Sequence, residues 1–177
     1  MTKSHDRSPR NQRDRPPDGP SGREGPEMMP QGGISPVRPE DFPRIVEVWE
    51  ASVRETHRFL TEADIVSFKP LVEQELPGVA ELACVRDGAG QAVGFVGVEN
   101  DKVEALFVHP EWRGRGIGRR LLEHAVRTLV ATRVDVNEQN GQAVGFYRRM
   151  GFRVEGRSES DGLGKLFPLL HMRLGRP

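Results

Sequence analysis

The chain has 177 residues but only one cysteine, one tyrosine and two tryptophans. A lone thiol, Cys84, excludes an internal disulfide and fits a reducing cytoplasm. Aromatic residues make up only 6% of the chain, and Lys+Arg balance Asp+Glu at 26 each, for a net charge of zero. Few rings and no excess charge argue against nucleic acid or an anionic membrane as partner. No stretch approaches the roughly 18 consecutive apolar residues of a membrane span. The start of the chain lacks the apolar core of about 7–15 residues that marks a secretory signal. The five histidines show no metal-ligand spacing, so no metal is expected.

Residues 1–33 lack a core. Their only apolar side chains are Met1, Met28 and Met29, among prolines, glycines and charges of both signs. Such a segment cannot offset its ordering entropy, so it is expected to be a disordered tail or a spacer, with Met28 or Met29 as alternative starts. Residues 34–177 are patterned as one domain. "ISPVRP" reads as a short edge strand. A helix follows over 40–56, with Phe42, Ile45, Val48, Trp49 and Val53 on one face. A weaker helix is expected over 61–75, capped by Thr61 and broken at Pro70. "AELACVRD", "QAVGFVGVEN" and "KVEALFVHP" read as three strands joined by tight turns.

A second long helix is expected over 116–130, with the stripe Ile117, Leu121, Leu122, Ala125, Val126, Leu129 and Val130. "TRVDVNE" is a strand, and 140–150 is a short helix closed by Gly151. "FRVEGR" and "FPLLHMRL" are the last strands. The order βααβββαβαββ predicts an α/β fold: a mixed sheet with helices on both faces.

The stretch "HPEWRGRGIGRRLL" joins a strand to a helix through alternating glycines, Gly114, Gly116 and Gly118, with Arg113, Arg115 and Arg119 among them. A strand ending before a glycine-opened helix aims unpaired amides at whatever precedes it, which favours a phosphate cradle. Neither the Rossmann spacing nor the Gly-Lys-Ser/Thr of a P-loop is present.

Two motifs now carry a resemblance. Arg113, Gly116 and Gly118 resemble motif A of the GNAT superfamily of acetyl-CoA-dependent N-acetyltransferases, and "NGQAVGFYRRMGF" is similar to its downstream Asn…Phe-Tyr…Gly-Phe segment. "SVRETHRFL", "VNEQNGQAVGFYRRMGF" and "GRSESDGLGKLFPLL" look like a small bacterial YjaB-type subgroup associated with peptidyl-lysine acetylation. The resemblance implies the GNAT fold, whose central sheet splays open at the cofactor cleft. It implies acetyl transfer from acetyl-CoA to a primary amine, either a small molecule or a protein lysine. A non-catalytic acyl-CoA sensor on the same fold is the alternative.

The resemblance also distributes roles. The loop Arg113, Gly114, Arg115, Gly116, Ile117, Gly118 and Arg119 takes the pyrophosphate. The strand edge Leu106, Phe107 and Val108 takes the pantetheine arm, with the Val108 amide polarising the thioester carbonyl. Asn140 matches the family asparagine, and Asn137 is a second cofactor contact. Tyr147 matches the acid that protonates the leaving thiolate. Spacing alone equally fits a core aromatic at that position.

The base is open between Glu104 and Asp135. Strict alternation would put Glu104, Leu106 and Val108 on one face and Val103, Ala105 and Phe107 on the other. His57 and Phe59 fall on the acceptor side, where His57 could orient substrate or be purely structural. His109 and His124 read as structural or solvated. Cys84 has no adjacent base in the sequence, so direct transfer in a ternary complex is expected rather than an acyl-cysteine. A cytoplasmic monomer or homodimer is expected.

Overall fold

The computed structural model describes residues 33–162 and 164–175. The expected tail falls, but for Gly33, outside the described residues. The elements in chain order are β1 Ser35–Pro36, α1 Phe42–Thr56, α2 Glu62–Glu75, β2 Glu81–Arg86, β3 Ala92–Glu99, β4 Lys102–Val108, α3 Ile117–Arg127, β5 Arg133–Asn137, α4 Gly141–Arg149, β6 Phe152–Ser158 and β7 Leu169–Leu174. They form one seven-stranded sheet in the order β1-β2-β3-β4-β5-β7-β6, antiparallel except for the β4–β5 pair. This is the expected mixed α/β architecture, with the expected element order.

The helices cover both faces. The α1 stripe of Ile45, Val48, Trp49 and Val53 packs with Ala92 and Phe95 of β3 on one side. On the other, Ile117, Leu121, Leu122 and Ala125 of α3 and Val144 and Tyr147 of α4 pack with Val96, Val98, Val134 and Val136. β3 is therefore buried on both faces, which explains its continuous apolar run. Fully burying a side chain such as Phe95 is worth about 1.5–3 kcal/mol. Among the described residues no helix is long and apolar enough to cross a membrane.

A buried ion pair fastens the N-terminal edge. The Arg86 guanidinium on β2 grips both carboxylate oxygens of Asp41 at 2.6 Å. It also donates to Ser35 Oγ and to the carbonyls of Pro36 and Gly90. Asp41 in turn accepts the Arg38 amide at 2.8 Å. One side chain thus ties β1, the turn before α1 and the β2–β3 hairpin together.

Two expectations are corrected. Pro70 lies inside α2 without breaking it. A proline there removes the donor for the Val66 carbonyl, but that turn faces water, with Val66 60% exposed, so solvent can satisfy the carbonyl. The helix still carries a penalty. Pro70→Ala is expected to stabilise the protein by about 2 kcal/mol, the helix-interior gain less the lost restriction of the unfolded chain. Chemical denaturation checks this, and an unchanged midpoint would mean the ring's own packing offsets the gain.

The helix expected to reach residue 130 stops at Arg127. Val130 adopts a left-handed φ of 58°, and the Ala131 amide closes onto the Ala125 carbonyl at 2.9 Å. That is a left-handed C-terminal closure. With valine at the position that usually holds glycine, it gave no sign in the sequence.

Candidate active site

The cleft originates in strand pairing. β4 and β5 pair at only two positions, Lys102↔Arg133 and Val103↔Val134. Beyond them the strands diverge. A bulge on β4 opposes Val98 to Val103 but Gly97 to Ala105, leaving Glu104 as the extra residue. Such a bulge bends its strand away from the ladder. It also corrects the expected alternation. Val103 packs on the α3 side with Leu106 and Val108, while Ala105 and Phe107 face α1.

Past the bulge the ladder to β3 is regular. His109 donates its amide to Val93 O at 2.9 Å. By antiparallel alternation, the main-chain groups of Phe107 then point at β3. Those of Leu106 and Val108 point into the cleft, as an open strand edge.

The far end of that edge meets the glycine loop. Gly114 and Gly116 take left-handed φ values of 75° and 77°, a region costly for any residue with a Cβ. Gly116 is the N-cap of α3, and the first helical bond runs from the Arg120 amide to its carbonyl at 3.0 Å. The amides of Ile117, Gly118 and Arg119 therefore have no intrahelical partner, and they collect the positive end of the helix dipole. Arg113 reaches across to Gln142 Oε1 on α4 at 2.9 Å. Arg119 pairs with Glu123. Arg115 lies over the Trp112 ring at 4.8 Å.

These parts line one cavity of about 770 Å³ that runs from the α3 N-terminus to the C-terminal turn of α1. Of the residues expected at the site, Glu104, Leu106, Phe107, Val108, Arg113, Gly114, Gly116, Ile117, Gly118, Arg119, Asp135, Asn137, Asn140, Tyr147 and His57 border it; Arg115 and Phe59 do not. Asn140 is buried and caps α4, its Oδ1 accepting the Ala143 amide at 3.1 Å. Asn137 Oδ1 likewise takes the Gln139 amide at 2.9 Å. Each asparagine keeps its NH₂ as a donor. Tyr147 sits between Phe146 and Phe152, edge-on to each at 5.2 and 5.6 Å. Burial pushes its phenol pKa up, so the hydroxyl stays protonated at neutral pH.

At the apex of the split, Glu104 and Asp135 are the first residues past the last paired rung on either strand. Lys102 Nζ stands between them, 3.0 Å from Glu104 and 3.1 Å from Asp135. Burial raises the Asp135 pKa, but hydrogen bonds from His171 (2.7 Å) and Lys102 outweigh it and hold the carboxyl below its ordinary value. Both Asp135 oxygens are thus engaged.

On the α1 side, Thr56 Oγ1 donates to the Ser52 carbonyl and stands 2.8 Å from His57 Nδ1. A hydroxyl already donating can only accept, so Nδ1 carries the ring hydrogen and Nε2 the lone pair. Burial pulls the His57 pKa down to about 4, which keeps the ring neutral. Phe59 backs this ring at 5.3 Å and touches Phe167 at 5.6 Å.

Ser52, Thr56, Trp112 and Gln142 also line the cavity and were not anticipated. Ser52 and Thr56 carried a signal, since they stand four apart and Ser52 sits buried among the apolar side chains of α1. Lys102 carried none, because its bond to Asp135 comes from the register between two strands.

The acetyltransferase (GNAT) domain family matches residues 79–154. The peptidyl-lysine N-acetyltransferase YjaB of Salmonella typhimurium is 43% identical over 135 residues, 76% of this chain and 92% of that protein. Its Escherichia coli namesake is 42% identical over 135 residues, 76% and 91% of the two chains. The solution structure of the apo form of E. coli YjaB superposes with a TM-score of 0.72, covering 80% of this chain and 95% of that one. The PaiA N-acetyltransferase of Thermoplasma acidophilum, solved with coenzyme A, shares the fold at 21% identity and a TM-score of 0.63, covering 81% and 98%.

Proposed function

The chain belongs to the GNAT acetyltransferases, enzymes that move acetyl from acetyl-CoA to an amine, and on that premise we propose that its acceptor is the side-chain amine of a peptidyl lysine. The acceptor attacks directly, in a ternary complex. One observation carries the reading: an open strand edge leads from unpaired helix amides straight to a pair of carboxylates. That is a groove with an anion-binding end, a peptide-like middle and a cation-attracting end. The YjaB relatives, at 42–43% identity, are named for the same acceptor.

Acetyl-CoA supplies the activated acyl group as a thioester. The amides of residues 117–119, with Arg113 alongside, bind its pyrophosphate. Leu106 and Val108 pair with the pantetheine arm as an added strand, and the Val108 amide steadies the developing oxyanion. Asn137 and Asn140 donate from the opposite wall. Arg115, engaged on Trp112, is left out of this set. Tyr147 hands its proton to the departing thiolate.

Glu104 is the base, reached directly or through one water, because Lys102 engages it through Oε1 whereas Asp135 has both oxygens engaged. The neutral His57 accepts a hydrogen bond from the incoming amine at Nε2, and Phe59 acts by bracing that ring. A single buried thiol fits work in a reducing cytoplasm. All of these groups come from one chain, so a monomer suffices.

The test mixes the protein with acetyl-CoA and three acceptors: an Nα-blocked peptide with one lysine, the same peptide with arginine, and a polyamine. Free thiol should appear with the lysine peptide and stay at background with the arginine peptide. Release only with the polyamine would overturn the peptidyl acceptor. Calorimetric binding of coenzyme A without release on any amine would favour the sensor alternative.

A further inference from the structure

Three side chains from three adjacent strands stand in line in the C-terminal half of the sheet. The β5–β7 register sets Asp135 directly opposite His171, and the β6–β7 register brings Ser158 alongside. Asp135 Oδ1 lies 2.7 Å from His171 Nδ1, and His171 Nε2 lies 2.6 Å from Ser158 Oγ. An ionised carboxylate only accepts, so Nδ1 carries the ring hydrogen. In the neutral ring Nε2 then holds a lone pair, and the Ser158 hydroxyl donates to it. The order is hydroxyl, base, orienting carboxylate, the arrangement that activates a nucleophile.

Ser158 and His171 are partly exposed, and neither borders the acetyl-transfer cavity. A groove of about 310 Å³, bordered by His171, Lys102, Arg133, Glu155 and Arg173, opens beside the imidazole. The amine reaction leaves both residues without a task.

We propose that Ser158 is a second reactive centre, which takes acyl groups from small activated esters or thioesters independently of amine acetylation. In the acylation step Ser158 Oγ bonds to the carbonyl carbon as the bond to the leaving oxygen or sulfur breaks. The hydroxyl proton passes to His171 Nε2 and from there to the leaving group, giving O-acyl-Ser158 and a free alcohol or thiol. Asp135 stays ionised throughout and stabilises the imidazolium. Attack by water in the same geometry releases the carboxylic acid and restores the serine.

The full chain, treated with p-nitrophenyl acetate or a fluorophosphonate probe and mapped by peptide mass, tests this. Ser158 in the folded protein should react on the order of 10²-fold faster than the same serine in urea-unfolded protein. His171→Asn should remove that excess. Ser158→Ala should lose the modification yet acetylate amines at the native rate, which separates this proposal from the acetyl-transfer reading. Labelling of folded Ser158 no faster than in the unfolded chain would overturn it. So would native-speed labelling in His171→Asn. The unfolded native chain is the baseline, so the first comparison needs no variant to fold.

Discussion

Tyr147→Phe is expected to lower kcat by at least about 10²-fold while leaving acetyl-CoA affinity within about twofold, because a positioned proton donor typically contributes 10²–10⁴ in rate. The ring is edge-on to Phe146 and Phe152, and phenylalanine keeps those contacts. The substitution therefore removes a proton donor and little else. Burial keeps the proton on the native phenol, so on the proposed role a donor is in place when the departing thiolate develops beside it. Single-turnover kinetics with calorimetry of coenzyme A binding separates the two quantities. Equal turnover in the variant would move the acid role to solvent or another group.

The second large effect is on stability. Arg86→Met should cost about 3–5 kcal/mol at neutral pH, the usual result of leaving one partner of a buried ion pair alone. Arg86 and Asp41 are only 14% and 11% exposed, so solvent cannot take over. The pH dependence has a definite sign. The Arg86 hydrogen bond, working against burial, holds the Asp41 carboxyl below its ordinary value of 3.8. A depressed carboxylate stabilises the fold above its unfolded pKa, and that contribution is lost as pH falls through the folded value. The gap between native and variant, read from urea melts, should therefore be widest near neutrality and shrink below about pH 4. A gap of constant width would place the loss in the Ser35, Pro36 and Gly90 contacts instead.

Much of this molecule was legible before its structure. The element order, the two-faced burial and the glycine cradle follow from periodicity and from glycine's freedom at Gly114 and Gly116. What escaped had physical reasons. The helix end at Val130 uses left-handed backbone on a β-branched residue, against local preference. The bulge at Glu104 shifts a face by one residue, and nothing in "KVEALFV" announces it. The contacts of Lys102 with Asp135, and of His171 with Ser158 and Asp135, exist only through strand register, which joins residues far apart in the sequence. Phe59 and Arg115 missed the cavity because each found a ring nearby, His57 for one and Trp112 for the other.

The two-rung seam between β4 and β5 has one more consequence. The ladder between the two halves of the sheet has just the rungs Lys102↔Arg133 and Val103↔Val134, with the Thr132 amide donating to the Asp101 carbonyl beside them. A ligand that pairs with the free β4 edge becomes, in effect, an eighth strand. Its binding free energy then adds to the folding free energy, by about 2.7 kcal/mol at a concentration a hundredfold above Kd. A chain that carries its donor is on this account a more stable protein than the same chain without it. Cellular supply of the acyl donor would then set the lifetime of the fold as well as the speed of the reaction.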